Sequence, residues 1–357
     1  MQNLSTRKRS KSKIAWLYVL GGALVVSAVL LGLLVSSVSF PVSTILHIVL
    51  EKTFGLGFLD PIAKNEELII WNIRLPRVLL ALCVGASLAI AGAAFQGLLR
   101  NPLADPYTIG VSSGAALGAV VVLFFQITII GLGKFTLPVV AIISGLITLV
   151  IVFGLVRLSN KSLAIETIIL AGIIVGAFIS AITSLLISLG DRDAMTQIIY
   201  WLYGSVAMRG WSHVQLIFPF MLVGAFILLF HYRELNALAL GEEAAEHIGV
   251  NVKRGKVWIL IGASLLTGAA VAVSGSIGFV GLVIPHLVRL VTGPNHHHVL
   301  PLSMLTGGAF LILADLLART VIAPQELPIG VVTAIIGAPV FAFLLIRERI
   351  GRGVHHD

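Results

Sequence analysis

Long apolar runs alternate with short polar punctuation along this chain. The runs cover residues 14–38, 78–99, 107–133, 135–156, 167–190, 211–230, 257–290, 299–314 and 327–346. Most reach the roughly 20 residues that carry a helix across a bilayer. In lipid an open-ended segment satisfies its backbone only as a helix. The 257–290 run is too long for one crossing, and Ser274-Gly275-Ser276, with Pro285 further on, divides it near Ser274. The pattern therefore predicts an all-α integral membrane protein of about ten transmembrane helices, with both termini on one side.

Composition agrees. The 357 residues are 58% hydrophobic and 11% charged, with mean hydropathy +1.04. A soluble domain carries about 25% charged residues. The net charge of +8 raises nucleic acid as a partner, but the charges punctuate apolar runs as membrane topology requires, so none is expected. The single cysteine, Cys83, excludes an intramolecular disulfide. Arg7–Lys13 followed by an apolar stretch resembles a signal peptide. That stretch continues uncharged to Val38, long enough to be retained as a first span. The expected organisation is a basic tail at 1–13, one ten-helix transmembrane domain at 14–350 and a second tail at 351–357.

Of the 24 Lys and Arg, eight fall on the side away from the termini: Lys52, Lys64, Arg74, Arg77, Lys134, Arg192, Arg209 and Arg319. The excess on the other side predicts cytoplasmic termini. A short repeat also stands out. Gly85-Ala86-Ser87-Leu88 and Gly262-Ala263-Ser264-Leu265 each open a stretch that ends Gly-rich, and the helix count sets them in opposite orientations. Inverted repeats are a common transporter device.

Between two spans on the cytoplasmic side lies LNALALGEEAAEHIGV, Leu235–Val250. Its good helix formers, broken by Gly241 and Gly249, predict two short helices and a docking element for a cytoplasmic partner. An ordinary loop is the alternative. Ala244 and Ala245 are small enough to seat in such a partner's groove. On the outer side Arg74, Arg77 and Arg319 either snorkel to the interface or meet an acidic partner. Asn101-Pro102-Leu103-Ala104-Asp105-Pro106 predicts a tight inner turn. Gly110–Gly114 matches G-x-S-x-G, but in a helical apolar setting it points to close helix contact rather than a hydrolase elbow. His296, His297 and His298 fall in a short cytoplasmic loop, where a solvated loop is the simpler reading than a metal site. No G-x-x-x-x-G-K-[ST] and no H-E-x-x-H occurs. Glu166 and Asp315 lie near span ends, unlike the mid-span ionisable residues of an ion-coupled carrier.

Four stretches together carry a resemblance: RLPRVLLALCVGASLAIAGAAFQGLLRNPLADPYTIGVSSGAALG, LNALALGEEAAEHIGV, GSIGFVGLVIPHLVRLVTG and ELPIGVVTAIIGAPVFAFLL. From about Ile69 onward the chain resembles the FecCD-like permeases of ABC importers for iron–siderophores, cobalamin and haem. The resemblance implies a fold like that of cobalamin-importer permeases. It also implies a second permease subunit, homo- or heterodimeric, two cytoplasmic ATPases that hold ATP and Mg, and an extracytoplasmic binding protein. The chain itself is expected to bind no cofactor or metal and to have no catalytic residues. In this resemblance Arg74, Arg77 and Arg319 dock the binding protein. Leu235, Leu238, Leu240, Gly241, Glu242, Ala244, Ala245, Ile248 and Gly249 belong to the ATPase-coupling helices. Asn101 and Leu103 match the inner gate loop, with Ile165 and Glu166 near a second gate strip. The expected cargo is an iron–siderophore in a bacterial plasma membrane. Cobalamin or haem is the alternative, and an ion-coupled carrier a distant one.

Overall fold

The computed structural model describes residues 2–35, 40–55, 63–159 and 164–353. Val38 at the end of the first apolar run and most of the expected tail at 351–357 lie outside the described residues. Among the described residues all regular structure is helical. α1, Gln2–Leu34, takes in most of the basic N-terminal segment. α2, Val42–Phe54, leads to α3, Lys64–Leu68, a π-helical segment at Ile69–Arg74 and α4, Leu75–Leu98, these last three forming one rod. Next come α5 (Val111–Phe124), α6 (Thr136–Leu158), α7 (Ile165–Leu189), α8 (Arg192–Leu202) and α9 (Gly210–Phe230). Two short helices, α10 (Tyr232–Leu238) and α11 (Glu242–His247), precede α12 (Val252–Ser274), α13 (Val280–Thr292), α14 (His296–Thr320) and α15 (Ile329–Gly353).

Among the described residues, seven helices are long and apolar enough to cross a bilayer. Three shorter apolar helices, Val111–Phe124, Val280–Thr292 and Ile329–Leu344, complete the expected ten. The division near Ser274 falls where α12 ends. α2 and α8 were not expected. α8 is a short amphipathic helix that turns Ile198 and Trp201 inward, and Asp191 caps it by accepting from Ala194 N at 2.7 Å. Its two buried residues sit three apart inside a polar spacer, a signal too short to separate from a loop.

α4 and α12, the helices that carry the repeated Gly-Ala-Ser-Leu, are the most deeply buried of the long ones. Ser87 and Ser264 are both wholly buried. α4 finishes beside Gly241, over which the Arg100 guanidinium lies, and α12 begins there, its Lys256 held by Glu242. The two copies therefore run antiparallel, as an inverted repeat requires. Glycine lets the helices approach. A Cβ on Gly85 would stand 2.3 Å from the Gly307 carbonyl oxygen, and one on Gly92 would stand 1.9 Å from that of Gly281. Small residues at helix crossings substitute close van der Waals contact for the hydrophobic drive that lipid does not supply.

Each half interrupts its helix after the repeat. α5 rises only about 21 Å, short of the ~30 Å hydrocarbon core. A short 3-10 turn at Pro106–Ile109 precedes it, and a non-helical strip at 275–279 precedes α13. Irregular backbone at that depth needs internal partners. The Tyr107 hydroxyl supplies them: it donates to the Ile277 carbonyl at 3.0 Å and accepts from the Ile277 N–H at 2.8 Å. The G-x-S-x-G stretch sits at the start of α5, where a Cβ on Gly114 would meet Thr148 Oγ1 at 2.0 Å. Close helix packing explains it.

Candidate functional site

Arg74, Arg77 and Arg319 converge, but on the chain's own groups. Arg77 donates from Nε and Nη2 to Asp315 at 2.9–3.1 Å, and from Nη1 and Nη2 to Glu326 at 2.9 and 3.0 Å. Asp315 is buried; Glu326 is exposed. Arg319 donates to the Gly32 carbonyl at 2.5 Å and lies 3.9 Å from Asp315. Arg74, only 4% exposed, donates to the Leu33 carbonyl at 2.9 Å and stacks on Phe40. Gly32 and Leu33 belong to the last turn of α1, whose carbonyls have no partner within the helix. Arg74 and Arg319 thus cap α1. All three guanidiniums are thus engaged within the chain, and of these contacts the Arg77–Glu326 pair is the one at the surface. The π-helical segment that ends at Arg74 shifts the register of the rod just before these residues.

At the other end, about 30 Å along α4 from Arg77, the segment Leu235–Val250 folds as expected. Gly241, at φ +116°, and Gly249, at φ +86°, occupy backbone conformations that a side chain disfavours. Leu235, Leu238 and Ala245 are buried against the spans. The expectation that Ala245 seats in a partner's groove is therefore corrected: it packs into its own core, because the inward face of a six-residue helix lying on the bundle needs a small residue. Ala244 is half-buried. The surface on offer consists of Leu240, 73% exposed, and Ile248, 64% exposed, with Glu243 and Glu246. Two links tie this segment to the spans. Lys256 Nζ of α12 donates to Glu242 Oε2 at 2.5 Å. Asn236 Oδ1 of α10 accepts from His296 N at 2.9 Å, and its Nδ2 donates to Asn295 at 2.9 Å.

His296 is thus no loop residue. It opens α14, which Asn295 caps, and its buried ring lies 2.9 Å from Asn236 Oδ1. Among the described residues no group of His, Cys, Asp and Glu is arranged to hold a metal ion.

The Asn101–Pro106 turn is tight as expected. Asn101 Oδ1 accepts from Leu103 N at 2.9 Å, and Asp105 caps the following turn through Tyr107 N at 3.0 Å. Burial pushes the Asp105 carboxyl up to about 6, against the hydrogen bond from Tyr107. Leu103 and Glu166 are exposed, whereas Ile165 is buried. The structure thus gives the two expected gate strips different surroundings, and Ile165 is a packing residue. Just before the turn, on α4, Gln96 Nε2 donates to the Gly281 and Leu282 carbonyls, and its Oε1 accepts from Arg289, locking α4 to α13. Nothing local in the amino-acid pattern marks this lock.

The FecCD transport family matches residues 24–347. The permease YvrB of Bacillus subtilis, an ABC transporter protein of uncharacterized role, is 50% identical over 98% of this chain and 99% of its own. The cobalamin import permease BtuC of Halobacterium salinarum is 43% identical, covering 81% and 76%. A chain of a solved metal-chelate type ABC transporter in an inward-facing conformation has a TM-score of 0.80. It is 36% identical and covers 93% of this chain and 99% of that one. The chain belongs to the FecCD transport family, the permease subunits of ABC importers.

Proposed function

We propose that this chain forms half of the membrane path of an importer for a bulky metal chelate, in the first instance an iron–siderophore. Two copies, or this chain with a related one, enclose the path; two cytoplasmic ATPases supply ATP hydrolysis, and an extracytoplasmic binding protein delivers the cargo. The observation that carries the reading is the anchored segment α10–α11. It offers Leu240 and Ile248 outward while Lys256 and His296 fix it to α12 and α14. A partner that presses on those side chains moves two spans directly. At the arginine end, docking proceeds by exchange: a carboxylate on the binding protein replaces the exposed Glu326 on Arg77. The identity to a cobalamin permease supports cobalamin as the second reading.

The test uses the assembled transporter in proteoliposomes with ATP enclosed. Leu240→Asp with Ile248→Asp is expected to abolish ATPase co-purification and uptake while the chain still inserts. Normal assembly and uptake would refute the coupling role. Accumulation of cyanocobalamin, but not of ferric siderophores, would select the second reading.

A further inference from the structure

A groove of about 700 Å³ opens between the end of α9 and the start of α12, beside the coupling segment. One wall is a ladder of rings. Phe226 stacks on Phe230 at 6.1 Å between centroids, Phe230 meets His231 at 5.4 Å, and His231 stacks on Trp258 at 6.4 Å. Phe226 lies four residues before the end of α9 and Trp258 six residues after the start of α12. The rings therefore sit within about 6–9 Å of the helix ends. That is the headgroup level at which aromatic belts form. Phe226 and Phe230 are 69% and 68% exposed, so this chain does not cover them.

The rim above the rings is cationic. Arg233 and Arg254 are exposed and line the groove together with one carboxylate, Glu234. Arg233 donates Nε to the Tyr232 hydroxyl at 3.0 Å. Among the described residues neither arginine makes an ion pair. Arg254 stands in the first turn of α12, where the helix dipole disfavours a cation, so the helix gains nothing from it. A dissolved anion would leave the rings uncovered, and a zwitterionic headgroup would gain little from a net positive rim. An anionic headgroup carrying acyl chains matches both layers at once, and basic pockets between spans on the cytoplasmic side have this character.

We infer that this groove binds an anionic phospholipid of the cytoplasmic leaflet, its phosphate between Arg233 and Arg254 and an acyl chain along Phe226, Phe230 and Trp258. The inference rests on the reading that places α10–α11 at the cytoplasmic face. Gly249, Val250 and Asn251 line the same groove. The bound lipid therefore supports the exit of the coupling segment into α12.

Native mass spectrometry of the purified chain, titrated with phosphatidylglycerol and with phosphatidylcholine, reads the site. Wild type is expected to prefer phosphatidylglycerol. Arg233→Gln with Arg254→Gln is expected to weaken phosphatidylglycerol about 30-fold, roughly fivefold for each basic residue at an anionic surface. Trp258→Ala is expected to weaken both lipids. Equal retention of phosphatidylglycerol by wild type and the double arginine variant would overturn the proposal. In the full transporter, a photoreactive phosphatidylglycerol should label the peptide containing Trp258. Labelling that occurs only when the ATPase is removed would make the groove an ATPase seat and also overturn it. ATPase co-purification with the arginine variant is scored separately. Its retention keeps the permease reading standing whichever way the lipid test falls.

Discussion

Replacing Glu242 with Gln tests whether the α10–α11 segment acts through its anchor. Lys256, 2% exposed, holds Glu242, 33% exposed, at 2.5 Å. Removing one partner of a fully buried pair costs about 3–5 kcal/mol. A hydrogen bond to a charged group contributes about 1.5–3 kcal/mol. With one partner a third exposed, solvent screening places Glu242→Gln near the lower figure, about 2 kcal/mol. Lys256→Met keeps most of the volume and removes the buried charge, so combining it with Glu242→Gln should restore much of the stability. The assay pairs thermal unfolding in detergent with ATP-driven uptake in proteoliposomes. The single variant should unfold earlier and lose uptake. The double variant should unfold near wild type and still lack uptake, because α11 is no longer tied to α12. Uptake that returns along with stability would reduce the pair to a structural role. Wild-type unfolding and uptake in Glu242→Gln would refute the anchor altogether.

Gly92→Ala places a Cβ 1.9 Å from the Gly281 carbonyl oxygen and 2.5 Å from its Cα, and backbone cannot swing aside. Overpacking of this kind costs about 1–3 kcal/mol or more. The variant should melt earlier or fail to accumulate, while Gly22→Ala, which meets nothing within 4 Å, behaves as wild type; equal behaviour of the two would contradict the packing. Asp105 titrates at about 6 in the fold against 3.8 for the free carboxyl. The folded state therefore holds this proton more tightly, and the stability from the neutral carboxyl, complete below about pH 3.8, is lost as pH rises through about 6. Asp105→Asn keeps an acceptor for Tyr107 N and removes the titration. Its unfolding midpoint should lack the decline that wild type shows between about pH 4 and pH 7, and parallel profiles would count against the assignment.

The spans were legible because lipid demands length, and nine apolar runs, one of them long enough for two crossings, leave little choice. The break at Ser274 was legible from its Ser-Gly-Ser, and the two short helices α10 and α11 from their helix formers parted by Gly241. Direction was not legible. A small residue such as Ala245 looks the same whether it faces a partner or its own core, and only the packing of α11 on the bundle decides. Long-range partners were equally hidden: Asp315 and Glu326 lie some 240 residues from Arg77. Nothing local marks the guanidinium as already engaged. His296 reads as a loop residue although Asn295 before it is a good cap; the polar Asn-His-His-His run lacks the apolar pattern by which the rest of the helix is recognised.

One hydroxyl sets a limit on how this chain can move. Tyr107 follows the first copy of the repeat, and Ile277 follows the second; the phenol occupies both the N–H and the C=O of that one peptide residue. Prising the two copies apart would leave both groups without their partner, at about 1–3 kcal/mol each. Tilting the whole chain against its surroundings leaves the bridge intact. The joint thus behaves as a rivet: it makes internal rocking of the halves costly and leaves rigid-body displacement of the whole bundle free.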